Sequence, residues 1–123
     1  MIYTGSFFTY KGDNCVSIAL TWPKWYKGRT YGDLAPPWEL LKKYKENGDI
    51  QYYKQFYKEH VLDKLCPEKV YDDIKDGSVM LCWEKPGLFC HRYLVSRWLE
   101  NRLKIIVPEL VMGGVDTEVV RAI

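Results

Sequence analysis

The sequence predicts an α/β domain built on a mostly parallel sheet. Three observations carry that prediction. Short apolar runs of strand length alternate with longer runs of helical period, as in parallel sheets joined by crossover helices. Residues 15–20 (Cys-Val-Ser-Ile-Ala-Leu) are almost all small or apolar, as in a strand covered on both faces. The chain has 123 residues, 47% hydrophobic and 28% charged, which fits one globular core. The expectation is a single three-layer domain over residues 1–112, with about four strands and helices on both faces. Residues 113–123 read as a flexible C-terminal tail.

Taken in order, residues 2–10 are rich in Tyr, Thr and Phe and read as a first strand running into a loop at Lys11-Gly12-Asp13-Asn14. Residues 15–20 are the second strand. Residues 21–37 form a long connection in which Pro23, Pro36 and Pro37 forbid a helix, since proline fixes φ and pushes its predecessor out of the helical region. Such connections are usually functional or disordered, and the rings of Trp22, Trp25 and Tyr31 argue against disorder. Pro37 sits where a first helical turn tolerates it, and Trp38, Leu41, Tyr44 and Lys45 keep a helical period. Asn47-Gly48-Asp49 stops that helix, and Asp49 can cap the next. Tyr53, Phe56, Tyr57, Val61 and Leu65 form one stripe of a helix over residues 51–65. A short helix over 67–75, a strand over 78–83, a helix over 90–103 and a final strand over 105–111 complete the reading.

Composition excludes some functions. A net charge of +2 demands neither a nucleic-acid nor a membrane partner. No apolar run approaches the ~20 residues of a membrane span, and no secretory leader pattern opens the chain. The expected location is therefore cytoplasmic. Cys15, Cys66, Cys82 and Cys90 contain no CxxC pair and read as reduced thiols. No cofactor is expected, and the oligomeric state is not legible.

Residues 79–82 enter a loop and residues 93–103 leave it as an amphipathic helix. Between them lie Glu84, Pro86-Gly87, Cys90, His91 and Arg92. In open α/β sheets such a loop lies at the carboxyl end of a strand, where ligands bind. A thiol at a helix start beside cations has a raised thiolate fraction, so Cys90 is the candidate nucleophile. Its alternative is a small buried packing side chain, the reading also given to Cys15, Cys66 and Cys82. His91 and Glu84 are candidate proton carriers, against a loop-orienting hydrogen bond for the first and an ion pair for the second. His60, among Lys58, Glu59 and Asp63, reads as plain surface. No Ser, Thr, Asp or Asn stands ready to cap the helix, so Arg92 with the uncapped N–H groups is a candidate anion site. The alternative is an ion pair of Arg92 with Glu84. Cys82, Cys90 and His91 supply three potential zinc ligands, short of the four of a structural site and at the wrong spacing, so no metal is expected. Trp22, Trp25 and Tyr31 are candidates for a loop contacting the ligand, within a region that interleaves Lys and Arg with aromatic rings.

Ser17-Ile18-Ala19, Trp22-Pro23, Gly28, Leu34-Ala35-Pro36, residues 81–87 (Leu-Cys-Trp-Glu-Lys-Pro-Gly) and residues 89–92 (Phe-Cys-His-Arg) together carry a resemblance. They resemble the domain-of-unknown-function 488 family, small bacterial, archaeal and phage proteins that include the YeaO-like group. The resemblance covers residues 1–111. It implies that Cys82, Glu84, Cys90, His91 and Arg92 belong to the family motif, and it brings no settled activity with it.

Two functional readings follow. In the first, the protein is a cysteine-dependent enzyme acting on a small anionic, nucleotide-like substrate between residues 82 and 92. In the second, it is a non-catalytic module binding phosphate, nucleotide or nucleic acid, or a small protein-interaction factor.

Overall fold

The computed structural model describes residues 1–111 and, as backbone only, residues 114–116. Six strands form one sheet: β1 (Tyr3–Ser6), β2 (Cys15–Ser17), β3 (Arg29–Thr30), β4 (Val79–Cys82), β5 (Glu109–Val111) and β6 (Gly114–Asp116), in the order β3-β2-β4-β1-β5-β6. The first five run parallel to their neighbours, and β6 pairs antiparallel with β5. The helices among the described residues are α1 (Trp38–Asn47), α2 (Ile50–His60), α3 (Pro67–Ile74) and α4 (His91–Leu103). The α/β class and the mostly parallel sheet are as expected. Apart from β6, the tail expected at 113–123 lies outside the described residues.

The sheet has more strands than expected, for local reasons. β3 is two residues long, too short to leave a periodic signal, and pairs with Val16 and Ser17 inside the proline-rich connection. β1 and β2 are shorter than their apolar runs. The chain turns back at Ser6, whose carbonyl accepts from the N–H groups of Thr9 and Tyr10 at 3.1 and 3.0 Å. Its hydroxyl accepts from the Phe8 N–H at 3.1 Å. Ser17 repeats the device, its hydroxyl accepting from the Ala19 N–H at 3.3 Å. Serine hydroxyls that bond the backbone two residues on compete with the sheet ladder and end it.

β4 is the centre, flanked by β2 and β1, and all four of its residues are buried. Register puts Thr4, Val16 and Met80 on one face. There Met80 and Val16 join Leu40, Tyr53, Tyr57, Val70, Ile74, Val95 and Leu99, so all four helices feed one cluster. The opposite face presents Val79 and Leu81, which pack with Phe7, Ala19 and Tyr26, with Tyr10 and Trp83 at the margin. The third layer is thus made of loop aromatics where helix was expected. The connections at 7–14 and 18–31 have rings enough to cover a sheet face but no uninterrupted helical period. Gly5 permits the close approach, because a Cβ there would lie 3.2 Å from both Leu81 Cδ2 and Val79 Cγ1.

The helix boundaries follow the local signals. Gly48 takes the left-handed conformation (φ 63°) and its N–H closes α1 on the Tyr44 carbonyl. Asp49 caps α2 by accepting from the Tyr52 N–H at 3.0 Å. Pro67 opens α3. α4 begins after Cys90, which is extended (φ −155°, ψ 145°) and makes no side-chain capping bond. Because β4 is central and α4 covers one face, the connecting loop 83–90 is held at the carboxyl edge of the sheet.

Candidate functional site

Cys82 is the last residue of β4, and its side chain lies at the carboxyl edge of the sheet. Phe89 is wedged between the rings of Tyr44 and Tyr53, with centroids 5.5 and 5.0 Å away. That wedge turns the following two residues inward. Cys90 is 1% exposed, His91 3% and Cys82 3%. Their donor atoms lie within 4.8 Å of one another. His91 Nδ1 stands 3.4 Å from Cys82 Sγ and 3.9 Å from Cys90 Sγ. On the other side of the ring, Nε2 lies 2.8 Å from the Ile18 carbonyl oxygen. A carbonyl only accepts, so Nε2 carries a proton and donates it to Ile18, while Nδ1 faces the two sulfurs. The Tyr57 ring packs edge-on against the imidazole at 5.6 Å. β2, through its continuation at Ile18, therefore fixes the tautomer of a histidine on α4.

The three side chains open into a cavity of about 70 Å³, lined also by Ala19, Leu20, Thr21, Pro36, Tyr44, Tyr53, Trp83, Glu84 and Phe89. Its walls are mainly rings and aliphatic carbon. Glu84 is exposed at the mouth, with Oε2 3.9 Å from Cys82 Sγ. The structure thus brings the three candidate catalytic groups, Cys90, His91 and Glu84, to one cavity.

The electrostatics separate the two thiols. Burial raises the Cys90 thiol, but hydrogen bonds from Cys82 and His91 and the positive charges of His91 and Arg92 outweigh it, holding Cys90 well below the ordinary thiol range. Burial pushes Cys82 well above that range, and negative charge on Cys90 adds to the effect. The two shifts run in opposite directions, so of the two thiols Cys90 is the one whose ionisation its surroundings favour. Glu84 is raised by desolvation and by Cys90, against the lowering influence of His91 and Arg92.

Arg92 occupies a different place from the one its expected role needs. It is 0% exposed and paired with Glu109, also 0% exposed. Nε donates to Glu109 Oε1 at 3.1 Å and Nη2 to Oε2 at 2.7 Å. Nη1 donates to the Glu84 carbonyl at 2.9 Å and Nη2 also reaches the Tyr93 hydroxyl at 2.9 Å. Thr4 and Tyr93 hydroxyls complete the Glu109 carboxylate at 2.6 and 2.8 Å. Burial opposes the charge on Arg92, but the Cys90 and Glu109 charges more than offset it and raise the guanidinium pKa. The guanidinium is thus a buried strut that ties the loop to β5, and it does not line the cavity. The ion pair weighed at Glu84 goes instead to Glu109, with Glu84 contributing its backbone carbonyl.

The expected contact loop also lies apart from the cavity. Trp22 and Trp25 are 45% and 49% exposed, and Trp25 lies against Phe7 and Tyr26 on the face opposite the helices. The Tyr31 hydroxyl donates to Asp73 Oδ2 at 2.8 Å, tying the connection to α3. Thr21 and Pro36 are the parts of that connection that line the cavity, beside Leu20 just before it.

The residues that the motif left out are Glu109, Tyr93 and Thr4. Glu109 had a signal. It is the acid in the apolar run Ile105 to Val111, and a carboxylate placed in a buried strand needs a buried cation. Cys82 does more than pack the strand, since its sulfur lies 3.4 Å from His91 Nδ1.

A family model, DUF488-N3a, described as the active DUF488-N3 subclade, matches residues 13–103. Comparisons with curated proteins and with solved structures found no match.

Proposed function

The chain belongs to the domain-of-unknown-function 488 family, and from that premise we propose that it is a cysteine-dependent enzyme acting at the cavity of Cys82, Cys90 and His91. Cys90 is the nucleophile. His91 Nδ1 takes and returns its proton, Cys82 donates its S–H to the thiolate, and Glu84 carries a second proton at the mouth. The observation that supports this reading most is the pairing of Cys90 with a histidine whose other nitrogen is locked on the Ile18 carbonyl. Nucleophile, base and orienting group in that order are the recurring parts of nucleophilic catalysis.

The cavity favours a small substrate with a flat ring, met by Tyr44, Tyr53, Trp83 and Phe89. The anionic half of the expected substrate loses its support, because neither Lys nor Arg is among the cavity-lining residues. A phosphate-binding module would need Arg92 to be accessible, and Arg92 is spent on Glu109.

The test uses p-nitrophenyl acetate as a small aromatic electrophile. The Cys90 thiolate attacks the acyl carbon, a thioester forms and nitrophenolate leaves with the bonding pair. We expect a burst of about one equivalent of nitrophenolate, with the acetyl group mapped by mass spectrometry to Cys90. Cys90→Ser should remove the burst and His91→Gln should slow it, both in chains that still unfold cooperatively. Acetylation spread over lysines, or a burst that survives Cys90→Ser, would overturn the proposal.

A further inference from the structure

We infer that Cys82, Cys90 and His91 form a binding site for one borderline-soft divalent cation of the zinc type. The inference stands on geometry and does not rest on the enzymatic reading. With Zn–S near 2.3 Å and Zn–N near 2.0–2.1 Å, tetrahedral coordination puts sulfur and nitrogen ligands ~3.6 Å apart and two sulfurs ~3.8 Å apart. The two Sγ–Nδ1 separations here are 3.4 and 3.9 Å, and all three donor atoms fall within 4.8 Å. The two Sγ–Nδ1 separations lie close to the value that one tetrahedral ion requires.

A second feature is independent of those distances. Ligating histidines almost always donate their remaining ring N–H to a carboxylate or a backbone carbonyl, which fixes the ring and its tautomer. His91 does this with the Ile18 carbonyl at 2.8 Å, leaving Nδ1 aimed at the sulfurs. The donor set also selects the ion. Two thiolates and an imidazole suit zinc and its neighbours, whereas magnesium and calcium require oxygen ligands. Two thiolates and a divalent ion sum to zero charge, the condition under which a charged group tolerates burial. The sequence showed only three ligands, too few for a structural zinc. Three ligands plus one position open to the cavity is the arrangement of reactive zinc sites, and Glu84 stands beside that position.

Metal and electrophile compete for the same Cys90 lone pair, so bound zinc silences the thiol. The test is cobalt(II) titration of the reduced full-length chain, followed in the visible and near-ultraviolet. Cobalt(II) in a two-sulfur tetrahedral site gives intense ligand-field bands and thiolate charge-transfer bands. We expect saturation at one equivalent, bleaching by zinc, loss of the charge-transfer intensity in Cys82→Ala and Cys90→Ala, and no change when Cys15 and Cys66 are both replaced by Ser. Zinc should also raise the melting temperature of the wild-type chain, because it binds the folded state. A folded wild-type chain that shows no such bands with excess cobalt overturns the inference, and so do bands that persist in Cys82→Ala. The spectrum needs no reaction with an electrophile, so an unreactive Cys90 would sink the enzymatic reading and leave this one standing.

Discussion

Arg92→Ala separates a structural strut from an anion clamp. In the folded chain Arg92 and Glu109 are both fully buried and joined by two hydrogen bonds of 3.1 and 2.7 Å. Removing the guanidinium leaves the Glu109 carboxylate with only two hydroxyl donors, from Thr4 and Tyr93, and strands the Glu84 carbonyl. Breaking a buried pair in this way costs about 3–5 kcal/mol. Domains of this kind have a total stability of roughly 5–15 kcal/mol. The variant should therefore lose about a fifth or more of its stability, a fall of about 10–20 °C in melting temperature for a chain of this size. Arg92→Lys keeps the charge but cannot match a two-pronged carboxylate, so it should fall between wild type and Ala. Urea unfolding followed by tryptophan fluorescence reads the difference. If Arg92→Ala unfolds within about 1 kcal/mol of wild type, a typical loss for a point mutation, the strut assignment is wrong and an anion-binding role returns.

Gly5→Ala should destabilise the sheet by about 1–3 kcal/mol through overpacking, because the new methyl would meet Leu81 and Val79 at 3.2 Å; urea midpoints would show it. Asp49→Ala removes the α2 cap and should cost about 1 kcal/mol, read in the same way. Tyr57→Phe deletes the 2.6 Å hydrogen bond to the buried Leu34 carbonyl and should cost about 1–3 kcal/mol. Asp73 is held below its ordinary value first by the Tyr31 hydroxyl and then by Lys69. Its contribution to stability is therefore present above the ordinary aspartate pKa of ~3.9 and lost as pH falls through the lower folded value. The stabilities of wild type and Asp73→Asn should differ at neutral pH and converge in acid, a pattern that pH-resolved melting checks.

Much of the fold was legible because its signals are local. Gly48-Asp49 punctuates two helices through a left-handed turn and a side-chain cap, both decided by adjacent residues. Residues 79–82 read as a buried strand since every side chain there is apolar or a thiol, and they form the central strand. The second face of the sheet was not legible. Which rings cover Val79 and Leu81 depends on how two loops return over the sheet, and no periodicity encodes that. The same holds for the site. Cys90, His91 and Glu84 announced themselves by clustering in one loop, and the structure brings them to one cavity. Trp22 and Tyr31 drew notice as aromatics without a helix to order them. Tyr31 is ordered by a contact the sequence does not show, its hydroxyl on Asp73, 42 residues away, while Trp22 is 45% exposed. The ion-pair partner of Arg92 was not legible, because Glu109 lies 17 residues on and only the fold sets the distance between them.

The most direct test of the central claim is the rate at which iodoacetamide labels each cysteine of the native chain at neutral pH, resolved by mass spectrometry. The account predicts that Cys90 reacts through the cavity faster than exposed Cys66, that His91→Gln removes the advantage, and that Cys82 stays unlabelled until the chain unfolds. A Cys90 that remains inert in the native state and labels together with Cys82 only on unfolding would contradict it.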